Sequence, residues 1–204
     1  MASLPPEFFG DPAAVVARNL IGATLLVDGV GGMIVETEAY ARDDPAAHSF
    51  GGETARNASM FGPPGRAYVY RSYGIHWCLN VVCGEQAGSA VLIRALAPEV
   101  GIDVMRERRR LTDVRLLCAG PGRLCEALAI TRAHDGLRLD RAPFTLAAPT
   151  AEPDVVVGPR IGIARGVETP WRFGAAGSPF LSRPFRSSPP APRVPRGTDH
   201  ASRR

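Results

Sequence analysis

The segment Val35-Glu36-Thr37-Glu38-Ala39-Tyr40 sets two carboxylates two residues apart. On a strand, that spacing sends both side chains to one face. A carboxylate beside a pocket can act as a general base on water. The same pair would also serve as the solvated face of an ordinary strand. A second concentration lies at Tyr68, Tyr70, Tyr73, His76 and Trp77. Strand alternation puts Tyr68 and Tyr70 on one side, where sheet packing accounts for both. Tyr73 falls at a turn, where an aromatic has no core to serve. A rigid aromatic tip suits stacking on bases or insertion between them.

Other chemistries find less support. Cys78, Cys83, Cys118 and Cys125 form no CxxC pair, and neither HExxH nor the zinc deaminase pattern occurs. Cys78 and Cys125 sit in apolar runs as core thiols would. Asp43-Asp44 could join Glu36 or Glu38 around magnesium, or could simply be loop residues. Gly29-Val30-Gly31-Gly32 falls short of a dinucleotide fingerprint, and there is no GKS or GKT. Gly120-Pro121-Gly122-Arg123 opens a helix whose free N–H groups could hold one phosphate, or it is a plain helix start. All 24 basic residues are arginine. No lysine amine is available for a Schiff base, which excludes lysine-dependent covalent mechanisms.

The elements that must position these residues can be read from pattern. The chain has 204 residues, 45% hydrophobic and 22% charged, a balance that fits one globular domain with or without a tail. Asp11-Pro12 precedes an apolar run and predicts a capped helix ending at Ile21-Gly22. Thr24 to Val27 and Gly31 to Tyr40 read as strands joined by an Asp28-Gly29 turn. Met33, Val35, Thr37 and Ala39 are expected on one face of the second, with Ile34, Glu36, Glu38 and Tyr40 on the other. Residues 43–64 read as a long functional loop. Two aromatic runs in Ala67 to Val82 flank Tyr73-Gly74 and predict a hairpin. Ala90 to Leu96 reads as a buried strand, Pro98 to Leu111 and Pro121 to Ile130 as helices, and Val155 to Val157 and Ile161 to Ala164 as strands. From Arg183 the chain is rich in Pro, Ser and Arg, which predicts a disordered basic tail over 183–204. That tail has a net charge of +5 and the whole chain +4, so residues 1–182 sum to −1. Overall basicity therefore does not mark a binding face on the domain. No apolar run is long enough for a membrane helix. The N-terminus lacks the features of a signal peptide, so a cytoplasmic setting is expected, on the nucleoid if the source is a bacterium.

Ile34 to Tyr40, Ala46-Ala47-His48-Ser49, Arg56-Asn57, Met60-Phe61, Tyr68-Val69-Tyr70, Tyr73-Gly74 and Cys78-Leu79-Asn80 occur in this order. Val91 to Leu96, Gly120-Pro121, Leu124 to Ile130, Arg160-Ile161-Gly162 and Gly177-Ser178-Pro179 continue it. This succession resembles the alkyladenine (3-methyladenine) DNA glycosylase family from about Leu4 to Ser182. The resemblance implies an α+β fold: one mixed domain, residues 1–182, around a curved antiparallel sheet with the aromatic hairpin projecting. It implies hydrolysis of the N-glycosidic bond of alkylated or deaminated purines in double-stranded DNA by a monomer, with no cofactor, metal or membrane.

By the same resemblance, Glu38 is the general base, and Arg94 and the Ile161 carbonyl hold the water. Tyr40, His48 and Tyr70 stack on the extruded base, and Asn80 and Leu92 border it. Tyr73 is the wedge, and Ile75, Thr54, Arg123 and Gly162 lie near the DNA backbone. The chain departs from the pattern in a His48–Met60 loop one residue short and in Glu53, where basic residues are expected. Two other classes remain beside this reading. A metal-dependent nuclease would use Glu36, Glu38 and Asp44. A non-catalytic nucleic-acid-binding module would need only the hairpin and the tail.

Overall fold

The computed structural model describes residues 3–185. Eight strands form one antiparallel, curled sheet: β1 (Thr24–Val27), β2 (Val30–Tyr40), β3 (Ala67–Ser72), β4 (His76–Cys83), β5 (Ser89–Val100), β6 (Phe144–Ala147), β7 (Val155–Gly158) and β8 (Arg172–Ala175). The spatial order is β3-β4-β5-β2-β1-β6, with β8 also on β2 and β7 beyond β8. The first half of β2 pairs with β1 and its second half with β8, while β5 runs along its other edge. This central strand carries Glu36, Glu38 and Tyr40.

Among the described residues, four α-helices and three short 3-10 helices complete the fold, the α-helices being α1 (Ala13–Asn19), α2 (Ile102–Arg109), α3 (Val114–Leu117) and α4 (Pro121–Ala127). The main core lies between them and one sheet face, where Val16, Leu20, Ile34, Leu79, Ile93, Met105 and Leu124 are fully buried. The Thr37 hydroxyl donates to the Ala17 carbonyl at 2.8 Å, tying α1 to β2. On the opposite face, Met60, Tyr68 and Val82 form one apolar cluster. Val35, Ala95 and Ala97 pack with Met33 and Phe180 in another.

The strict alternation expected of β2 does not hold. Ile34 pairs with Leu96 and Glu36 with Ala95, so Val35 is an extra residue on β2. Thr37 then pairs with Ile93, so Arg94 is an extra residue on β5. These bulges offset one another. They leave Ile34 and Thr37 towards the main core, with Val35 in the opposite cluster.

The expected turns are present. Asp28 and Gly29 have φ of 48° and 76°, Tyr73 and Gly74 of 49° and 69°, as primed hairpin turns require. The Ile75 N–H closes the second turn on the Ser72 carbonyl at 3.0 Å. Close packing of α4 sets the hairpin's angle: a Cβ at Gly122 would lie 2.8 Å from the His76 Cβ, closer than carbon atoms pack.

Several expected boundaries move. Asp11 does not cap α1; Pro12 occupies the cap position, with no side-chain capping bond. Pro98 and Glu99 belong to β5, and the following helix starts only at Ile102. Pro98 is tolerated because β4 pairs only with Ser89–Leu92, leaving that edge of β5 without a strand partner. Ile161–Ala164 is an irregular loop rather than a strand, with Gly162 at φ 77°. Arg183 and Phe185, assigned to the tail from sequence, reach the sheet: the Arg183 carbonyl accepts from Arg172 Nη2, and the Phe185 ring lies 3.9 Å from the Arg172 guanidinium. The rest of the expected tail, from residue 186, lies outside the described residues.

Candidate active site

The two carboxylates of β2 do not form a solvated face. Glu36 and Glu38 are both completely buried. Between them lies Arg94, brought to the same face by the paired bulges. Its Nε donates to Glu36 Oε1 at 2.9 Å and its Nη1 to Glu38 Oε2 at 3.1 Å. Glu38 Oε2 also accepts from the Tyr40 hydroxyl at 2.9 Å, and Oε1 from the Ile161 N–H at 2.7 Å. Ile161, whose carbonyl the resemblance assigns to holding the water, meets Glu38 through its N–H. A carboxylate has about four acceptor positions; these three donors leave one, on Oε1 beside Ile161.

Electrostatics follow from this burial. Loss of solvent pushes the Glu38 carboxyl above its ordinary value, against the opposing pull of Arg94, the Ile161 N–H and Tyr40, and nearby Glu36 pushes it further up. Burial, reinforced by Glu38, raises the Tyr40 hydroxyl, which stays a donor.

Above this floor opens a cleft of about 450 Å³, lined by Tyr40, His48, Tyr70, Tyr73, Asn80, Leu92, Arg94, Ile161 and Gly162 among others. Nine of the expected site residues therefore share one cavity, and Glu38 lies behind its lining, bonded to Arg94, Tyr40 and Ile161. The His48 and Tyr70 rings meet edge to face at 4.4 Å, and Tyr70 stacks on Tyr68 at 5.4 Å. His48 Nδ1 lies 2.9 Å from the Tyr68 hydroxyl. Burial, then Arg56, lowers the His48 pKa and favours the neutral ring. Asn80 donates to the Tyr68 carbonyl at 3.0 Å, which fixes its amide. The His48 loop is pinned by buried Asn57, whose amide donates to the His48 and Gly52 carbonyls at 2.9 and 3.1 Å.

Three expected residues lie away from the cleft. Thr54 is exposed and bonds to Asn57 Oδ1 through its N–H and hydroxyl. Ile75, 65% exposed, lines a second groove with His76, Trp77 and Gly122. Arg123 is exposed on α4. Asp44 is separate from the Glu36–Glu38 cluster: its carboxylate is held by buried Arg160, so the trio needed for a metal-dependent nuclease is not assembled.

A model of the methylpurine-DNA glycosylase family matches residues 7–179. The chain belongs to that family. A relative from Nitrosospira multiformis is 63% identical over 185 residues, covering 90% of this chain and 96% of its own length. One from Rhodopseudomonas palustris strain BisB18 is 62% identical over 184 residues, 89% of this chain and 92% of its own. Both carry the provisional name 3-methyladenine DNA glycosylase. As a methylpurine-DNA glycosylase, the chain is a DNA-repair hydrolase acting on N-glycosyl bonds.

Sequence reasoning gave no role to two arginines near the glycosylase cleft. The buried Arg160 guanidinium lies over the rings of Tyr40 and Trp171, 4.8 and 5.4 Å from their centroids, so it packs against one of the cleft's aromatic residues. Arg172 donates from Nε to Glu36 at 2.8 Å. The run Trp171-Arg172-Phe173 alternates as a strand does, the one local signal that could have found β8 and its arginine.

Proposed function

We propose that the enzyme removes alkylated or deaminated purines from duplex DNA by extruding the base into the cleft and attacking the sugar with water activated by Glu38. The observation that carries this reading is the buried carboxylate, held by Arg94, Tyr40 and the Ile161 N–H, directly beneath an aromatic-walled cleft. Its remaining acceptor position on Oε1 can take a proton from water. The negative charge also stabilises the cationic sugar that forms as the glycosidic bond breaks.

The cleft fits a flipped purine. Tyr40, His48 and Tyr70 supply aromatic walls, with His48 and Tyr70 in edge contact. N3- and N7-alkylated purines carry positive charge and leave without an acid, and aromatic faces attract such cations. A neutral His48 avoids repelling them. Asn80 and Leu92 border the base edge. Tyr73, 89% exposed with left-handed φ, has the exposure a wedge needs to fill the gap in the duplex. Ile75, Thr54, Arg123 and Gly162 would meet the DNA backbone. The substrates in scope are 3-methyladenine, 7-methylguanine, hypoxanthine and ethenoadenine.

With no lysine in the chain, water is the expected nucleophile and an intact abasic strand the product. The test is incubation with duplexes bearing each lesion, in chelator, followed by assay of released base and strand integrity. Free base with an uncut strand is expected, and borohydride should trap no protein–DNA adduct. A trapped adduct, cleavage of undamaged DNA, or no base release from any lesion would overturn the reading.

A further inference from the structure

The family match ends at residue 179, yet the packed chain continues to Phe185 and touches the charged floor. Ser182 donates to Glu36 twice, from its N–H to Oε2 at 2.5 Å and from its hydroxyl to Oε1 at 2.7 Å. Ser182 Oγ also lies 3.4 Å from Arg94 Nη2. Arg172, bonded to Glu36, receives the Arg183 carbonyl and the Phe185 ring. Phe185 also lies over Gly158 and Gly174, where an added Cβ would meet its ring at 3.0 and 2.5 Å. The segment is thus seated on β7 and β8.

The consequence runs through Arg94, which divides its donors between Glu36 and Glu38. Where Glu36 stands decides how much of Arg94 is left for Glu38. We infer that Ser182–Phe185 is a strap that positions the catalytic carboxylate: it holds Glu36, Glu36 holds Arg94, and Arg94 holds Glu38. This rests on the assignment of Glu38 as the base. Ser182 and Glu36 are positioning residues and need not touch DNA.

The groups facing Glu38 are Glu36 and Tyr40 on its own strand, Arg94 on β5, Cys78 on β4 and the Ile161 N–H, while Arg172 on β8 faces Glu36. Glu36→Gln removes a negative charge from this set and leaves Arg94's charge to Glu38 alone. The Glu38 carboxyl then protonates at lower pH, so the acid limb of the rate profile moves down.

The experiment measures single-turnover base release from purine-methylated duplex DNA across pH. Binding to a duplex with a tetrahydrofuran abasic analogue and thermal midpoints are measured in parallel. Ser182→Ala is expected to slow release about tenfold, the scale of one hydrogen bond to a charged group, with abasic-site affinity unchanged. Ser182→Thr, which keeps the hydroxyl, restores the rate. Glu36→Gln slows release and shifts the acid limb to lower pH. Wild-type rates in Ser182→Ala together with an unmoved acid limb in Glu36→Gln overturn the proposal. So do rate losses that only track falling thermal midpoints and are not rescued by threonine. Glu38→Gln separates the two levels. If it is inactive while Ser182→Ala and Glu36→Gln behave as wild type, only the strap fails. If it releases base normally, the assignment of the base fails and the strap with it.

Discussion

The floor of the cleft and the tip of the hairpin are built on opposite principles. Glu36 and Glu38 have no exposure and sit on the central strand, each fixed by several donors from β5, β8 and distant loops. Tyr73 and Ile75 are 89% and 65% exposed and are held by one turn between two neighbouring strands. Removing one partner from a buried charge network strands the others without water. Removing an exposed side chain from a closed turn leaves its supports intact. Damage at the floor should therefore fall on chemistry, and damage at the tip on engagement with DNA.

The largest test of that contrast is Glu38→Gln. The amide keeps the shape but cannot accept the proton, so base release should fall on the order of 10²–10⁴-fold while lesion-duplex binding persists in a gel-shift titration. Near-normal release, with Glu36→Gln inactive instead, would move the base to the other carboxylate. Tyr73→Ala should cost about 1–3 kcal/mol of stacking. The loss should appear in duplex substrates and be much smaller when the same lesion lies in a single strand. Equal losses in both contexts would remove the wedge role and erase the contrast.

The acid limb sharpens the comparison from the floor's side. Burial leads the upward shift of Glu38 from its ordinary 4.5. If Glu38 is the base, it works only when unprotonated, so activity should disappear as pH falls through a midpoint above that value. A midpoint at or below it would mean that Arg94 outweighs burial. The smallest effect is expected from the arginines beyond the strap. A chain ending at Phe185 lacks five arginines. If these meet phosphates, its DNA affinity should depend less steeply on salt, by up to about 0.9 in logarithmic slope for each phosphate no longer neutralised. An identical slope would mean that they do not.

Legibility followed the range of the forces involved. The Asp28-Gly29 and Tyr73-Gly74 turns could be read because each depends on neighbouring residues and left-handed backbone. The aromatic hairpin followed from them, and the residues around the cleft were reached through a resemblance spanning the chain. The burial of Glu36 could not be read, because it depends on Arg172, 136 residues away in sequence. The segment Ile161–Ala164 has the composition of a strand, but its first N–H is committed to Glu38, 123 residues earlier. Arg94 was visible as a candidate, yet its place between two carboxylates depends on a register slip that no alternation pattern announces.

That slip has a consequence for anyone who would transplant or redesign the site. Val35 adds one residue to β2 and Arg94 adds one to β5, and pairing beyond them resumes with Thr37 opposite Ile93 and Glu38 opposite Leu92. The two strands therefore form a single unit of inheritance. Importing the carboxylate strand without its bulged partner would leave one uncompensated residue and turn every later side chain of the graft to the wrong face. A one-residue deletion in either strand would do the same, and only a matched deletion in both could restore the sheet, at the cost of the arginine that joins the two acids.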